Sequence, residues 1–94
     1  MTNTEPISAE LEEEKARQLV AEVSLPPEIV KVDIRSGNDW SGDPALWVTL
    51  WVRDDLEFSQ QIADRLNNAA KEVRFKLIGA QFSRFPYITL DQAA

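Results

Sequence analysis

The apolar positions of the chain change spacing several times, and each change marks an element. Over residues 8–23, Leu11, Lys15 (by its aliphatic stem), Leu19 and Val23 recur every four positions, with Ala16 and Val20 beside them. That is the spacing of a helix with one buried stripe. Ser8 stands where an N-cap belongs. Glu10, Glu12, Glu13 and Glu14 fill the first turns, where the helix dipole favours negative charge. Pro26 and Pro27 cannot continue the helix and force extended geometry before them. Over residues 29–35, Val30, Val32 and Ile34 then alternate with Lys31, Asp33 and Arg35, which reads as a half-buried strand.

Residues 36–44 read as a polar loop rich in Gly, Asp and Pro. A second strand is predicted over residues 45–53. Leu46, Val48, Leu50 and Val52 lie on one face of it, and Trp47, Thr49, Trp51 and Arg53 on the other. A loop of this length is longer than most hairpin connections. Beyond Asp54 and Asp55, which are expected to cap it, a second helix is predicted over residues 56–77. Its apolar stripe is Leu56, Ile62, Leu66, Ala69, Ala70, Val73 and Leu77, and Gly79 is the expected left-handed stop. Val73, Phe75 and Leu77 also alternate like a strand, so the last turn is ambiguous. Residues 82–90 give a third strand. Pro86 cannot donate to a ladder, which places that strand at a sheet edge or a bulge.

The pattern predicts an α+β fold of order αββαβ. A single-layer, three-stranded sheet carries both helices on one face. Residues 8–90 form one domain between short tails at 1–7 and 91–94. The expected core is Leu11, Leu19, Val23, Val30, Val32, Ile34, Leu46, Val48, Leu50, Val52, Ile62, Leu66, Val73, Leu77, Ile88 and Leu90. The other sheet face then carries Lys31, Asp33, Arg35, Trp47, Thr49, Trp51 and Arg53, with Phe85 and Tyr87 as further candidates.

Composition narrows the chemistry. The 94 residues include neither cysteine nor histidine. Disulfides, thiolate chemistry, Ser–His catalysis and zinc sites built on Cys or His are therefore excluded within this chain. A bound metal would need oxygen ligands. The net charge of −6 disfavours phosphate-rich partners, so no nucleic acid is expected. A sheet of KH type would need a basic groove and a Gly-x-x-Gly loop, and the chain has neither. There is no apolar run of membrane-spanning length and no leader-like start, so no membrane contact and a cytoplasmic location are expected.

Two features are candidates for function. Asp39, Trp40, Ser41, Gly42 and Asp43 place side-chain oxygens at alternate positions, as calcium loops do. An EF-hand starting at Asp39 would, however, need Gly at position 44 and Glu at position 50, where the chain has Pro44 and Leu50. The same residues are the ordinary vocabulary of a structural turn, and a partner-binding loop is the third reading. The other feature is the face bearing Trp47, Thr49, Trp51 and Arg53. An exposed aromatic patch beside arginine marks an interface. The competing reading makes the tryptophans core, or covers them with a tail. Arg35, Arg53 and Asp33 are expected to pair across the sheet, with an arginine clamp on an anion as the alternative.

The stretch from Arg35 to Val48 reads R-x-G-x-D-x-x-G-D-P-A-x-W-V. It resembles a motif shared by a group of small bacterial proteins, and the resemblance covers most of the chain from residue 29 onward. It implies a following helix and a last strand, and it carries no assigned chemistry. The order αββαβ is also similar to the cytoplasmic C-terminal domain of cation diffusion facilitators. Those domains dimerise and often bind metal through histidine and acidic residues; without histidine that metal chemistry does not carry over. The sequence thus points to a non-catalytic module with no cofactor, which binds a protein partner or itself as a homo-oligomer. Arg35, Asp39, Trp40, Asp43, Trp47, Trp51 and Arg53 are its candidate binding residues. The alternative is a divalent-cation-binding or small hydrolytic protein using the loop carboxylates.

Overall fold

The computed structural model describes residues 9–93, so the expected tail at 1–7, the Ser8 cap and Ala94 lie outside the described residues. The element order is α1 (Ala9–Ala21), β1 (Ile29–Asn38), β2 (Pro44–Val52), α2 (Gln60–Gly79) and β3 (Phe85–Gln92). This is an α+β fold with one three-stranded sheet, as the sequence predicts. The strands lie in the order β1-β2-β3. β1 runs antiparallel to β2, with Ile34 opposite Val48 and Arg35 opposite Trp47. β3 runs parallel to β2, with Trp47 beside Tyr87 and Ala45 beside Phe85. A parallel neighbour requires a crossover, and α2 supplies it.

Both helices cover the aliphatic face. Ala16 and Val20 of α1, Ile34 of β1, Leu46, Val48 and Leu50 of β2, and Val73 and Leu77 of α2 form one buried cluster. α1 lies over β1, α2 lies over β3, and the helices touch each other. Among the described residues no helix is long and apolar enough to cross a membrane.

Several expectations are corrected. α1 is turned by about one residue from the predicted stripe, so that Glu12, Ala16 and Val20 face inward. Leu11 is 63% exposed, while Glu12 is only 1% exposed. The reason is electrostatic. Glu12 Oε2 accepts hydrogen bonds from the Ser83 amide at 2.8 Å and the Ser83 hydroxyl at 2.9 Å. Its other oxygen faces Arg84 Nε at 3.8 Å. A carboxylate with such partners can occupy a position that pattern reading assigns to an apolar side chain. Val30 and Leu90 are likewise exposed rather than core. The β1–β2 register shifts between Ile29 and Lys31, which takes Val30 out of the regular alternation.

α2 begins later than expected. Ser59, not Asp54 or Asp55, is its N-cap, and the Ser59 hydroxyl accepts from the Ile62 amide at 3.2 Å. Gly79 lies inside the last turn, and the left-handed residue beyond the helix is Gln81, at φ 56°. Val73 and Leu77 are buried one turn apart while Phe75 points outward, which resolves the ambiguous last turn as helix. Asp91 and Gln92, expected in a tail, extend β3. β1 reaches Asn38 and β2 begins at Pro44, so the connection shrinks to residues 39–43, an ordinary hairpin length.

The rotated helix is testable by chemical denaturation. Glu12→Ala removes the acceptor of the Ser83 amide and hydroxyl and the carboxylate facing Arg84, and is expected to cost about 2–4 kcal/mol. Leu11→Ala, on the exposed side, is expected to change stability by no more than about 0.5 kcal/mol.

Candidate functional site: the aromatic sheet face

The sheet face away from the helices is built of cross-strand rows. Arg35, Trp47 and Tyr87 form one row, and Gly37, Ala45 and Phe85 the next toward the loop. The rings converge at this end. Trp47 stacks on Tyr87 with centroids 5.0 Å apart and planes 23° apart. Phe85 meets Tyr87 edge-on at 5.0 Å. Trp40, from the loop, lies 5.2 Å from Tyr87 and 6.4 Å from Trp47. Trp47 leans over Gly37, where an added Cβ would sit 3.6 Å from the indole. Its Nε1 donates to the Asn38 carbonyl at 3.3 Å. Trp47 and Tyr87 are half-buried, whereas Trp40 is 79% and Phe85 52% exposed. The tryptophans are therefore not the core of the sheet. They form a platform whose lower rings support two exposed ones.

One carboxylate fixes the loop beneath Trp40. Asp39 Oδ1 accepts from the Ser41 amide at 2.9 Å, the Ser41 hydroxyl at 2.8 Å and the Asp43 amide at 3.0 Å. Asp39 Oδ2 accepts from the Tyr87 hydroxyl at 2.9 Å. The backbone closes the turn. The Asp39 amide donates to the Asp43 carbonyl at 2.8 Å, and the Gly42 amide to the Asp39 carbonyl at 3.0 Å. Gly42 sits at φ 88°, a conformation that disfavours any side chain. Arg84 Nη1 donates to the Gly37 carbonyl at 2.7 Å and ties the shoulder of the hairpin to the start of β3.

Burial pushes the Asp39 carboxyl up. The bonds from the Ser41 hydroxyl, the Asp43 amide, the Tyr87 hydroxyl and the Ser41 amide outweigh it, and the net shift is downward. The Tyr87 phenol is raised, first by its hydrogen bond to Asp39, then by burial and by the charges of Asp39 and Asp43.

The predicted site residues divide. Asp39, Trp40, Asp43 and Trp47 come together at the loop end, and Arg35 adjoins them across the sheet from Trp47. Arg35 has no ion-pair or hydrogen-bond partner among the described residues. Trp51 shares the face but lies about 13 Å farther along β2, and its Nε1 donates to Asp33 Oδ2 at 3.0 Å. Arg53 is bound to Asp55 at 3.0 Å beyond the strand end. The expected pairing of Arg35 and Arg53 with Asp33 does not form; Asp33 instead holds Trp51 and lies 3.8 Å from Lys31 Nζ. Tyr87 and Phe85 complete the cluster. Their alternation across Pro86 puts them on one face, but only the parallel register brings them beside Trp47 and Ala45. Among the described residues, no group of three or more His, Cys, Asp or Glu is arranged to hold a metal ion.

No family model matches the chain, and no match to it was found among the curated proteins or the solved structures.

Tyr87 is the sole tyrosine, so tyrosinate absorbance reads this site alone. The phenol is expected to titrate above the ordinary value of about 10, and Asp39→Asn to bring it back toward that value. The acid limb supplies a second check. Because the folded Asp39 carboxyl titrates below its unfolded value, its contribution is complete above about pH 4 and is lost as pH falls through the folded value. Denaturation measured against pH should show a shallower acid limb in Asp39→Asn than in the parent.

Proposed function

We propose that the chain is a non-catalytic binding module whose helix-free sheet face docks a protein surface, either another chain or a second copy of itself. The observation that carries this reading is the exposure of Trp40 and Phe85 on top of a braced ring cluster. Large rings held rigid lose little entropy on binding, and aromatic residues with arginine dominate interface energies. Arg35, with no partner of its own, borders the cluster and is available to a carboxylate or carbonyl on the incoming surface. In this reading Asp39 and Asp43 shape the loop that presents Trp40, while Trp47 and Tyr87 form the floor.

Affinity capture from the native host with the parent chain and with Trp40→Ala tests the reading, alongside light scattering over a range of concentrations. The parent is expected to retain a partner or to self-associate. Trp40→Ala is expected to lose that association by a factor of about 30 or more, the size of a hot-spot truncation, with an unchanged melting temperature. A parent that stays monomeric and captures nothing, or an association indifferent to Trp40, would overturn it.

A further inference from the structure

The two edges of the sheet are treated differently. β1 is shielded: its register shifts between Ile29 and Lys31, and Lys31 stands on the edge strand. The Ser36 amide and hydroxyl are both taken by Glu13 of α1, at 2.8 and 2.5 Å. Bulges, lysines and a covering helix are the usual means of keeping an edge from pairing. β3 has no such shift in register and contains no lysine.

The polarity of the β3 edge follows from its ladder. The Ala93 amide donates to the Val52 carbonyl at 2.8 Å. With the parallel register, this turns the amides of the odd-numbered residues toward β2 and those of the even-numbered residues outward. Pro86 therefore sits where a missing N–H costs no ladder bond. The Gln92 amide is taken by Asp91 Oδ1 at 2.9 Å. Ile88 and Leu90 are left as outward donors, and the carbonyls of Pro86, Ile88 and Leu90 as outward acceptors.

The flank of α2 above this edge supplies a charge. Arg65 and Lys76 point the other way, where they pair with Glu28 at 2.7 Å and Glu22 at 2.9 Å. Lys71, Arg74 and Ile78 lie on the opposite flank at helical spacing, and Ile78 lines a groove with Phe82, Phe85 and Pro86. Lys71 and Arg74 have no partner among the described residues, in a chain of net charge −6.

We propose that the outer edge of β3, with the Lys71 and Arg74 flank of α2 above it, accepts an extended acidic segment of another protein as a fourth strand. Main-chain bonds to Ile88 and Leu90 hold the segment in register. Its alternate carboxylates lie on the helix side of the sheet and meet the two cations, while the intervening side chains point to the opposite face. Charge decides against a second copy on this edge, because two-fold pairing of β3 would bring Lys71 and Arg74 against their own counterparts. The inference concerns a surface other than the aromatic platform and does not depend on it.

The probe is a fluorescein-labelled peptide alternating glutamate with valine, compared with one alternating lysine with valine. It is titrated into the full chain by anisotropy, with hydrogen exchange measured in parallel. The glutamate peptide is expected to bind, more weakly as salt rises, and to slow exchange at Ile88 and Leu90. Lys71→Glu/Arg74→Glu changes only exposed side chains and is expected to weaken binding by about tenfold or more. Leu90→Pro removes an outward donor without breaking the ladder to β2, and is expected to weaken it too. Trp40→Ala is expected to leave it unchanged. Equal binding of both peptides, indifference to the charge reversal, or no binding would overturn the inference. Protection confined to the aromatic face would overturn it while leaving the platform reading standing. A dimer that protects Ile88 and Leu90 without peptide would also overturn it.

Discussion

Both helices lie on one face of the three-stranded sheet, which leaves the other face uncovered among the described residues, and much of the structure follows from that arrangement. The central strand β2 has apolar side chains on both faces. Its aliphatic row, Leu46, Val48 and Leu50, takes the helices and is fully buried. The other row must be stabilised without a covering layer, and large aromatic side chains can achieve this by lying across their neighbours. Trp47 covers Gly37 and stacks on Tyr87. The indole N–H groups are satisfied locally, by Asn38 and by Asp33. The open face is thus shielded by its own side chains, and what remains exposed at one end is a pair of rings on a rigid support.

Asp39 connects the covered architecture to that exposed end. Its carboxylate is shared between the turn it closes and Tyr87 on β3, so the hairpin loop between β1 and β2 is anchored to a strand that neither closes it nor borders β1. Arg84 repeats the connection from the other side through the Gly37 carbonyl. Read this way, the Gly-Asp-Pro stretch is largely scaffold. Gly42 supplies a backbone conformation, Asp39 supplies acceptors, and Ala45 is small enough to be buried under the rings.

Most of the fold was legible in the sequence, because period-2 and period-3.6 patterns report directly on which faces are buried. Element order and the identity of the aliphatic face of β2 follow from alternation, and Pro86 left β3 at a sheet edge or a bulge, of which the structure shows the edge. What escaped detection depended on partners distant in the chain. Glu12 occupies an inward position because Ser83 and Arg84 satisfy it, and nothing near Glu12 announces this. α2 starts at Ser59, whose hydroxyl caps the Ile62 amide, rather than at Asp54 or Asp55, and Asp55 instead pairs with Arg53. Of the site, Trp40, Trp47 and the loop could be marked in advance. Tyr87 and Phe85 could be offered for the open face but not placed beside Trp47 and the loop, because a strand pattern does not tell parallel from antiparallel pairing or fix its register.

The bond between Glu12 and Ser83 spans 71 positions of the chain, which couples the seating of α1 to the segment that leads into β3. Until residue 83 has left the ribosome, α1 carries at its would-be buried position a carboxylate with no amide to receive, and docking it against β1 would bury a naked charge. The β1–β2 hairpin closes over a short loop and can form early. α1 is therefore expected to be seated only once the segment around Ser83 is available. Without β3 the hairpin would lack the partner that seats α1, and an open apolar sheet face is the kind of surface that aggregates.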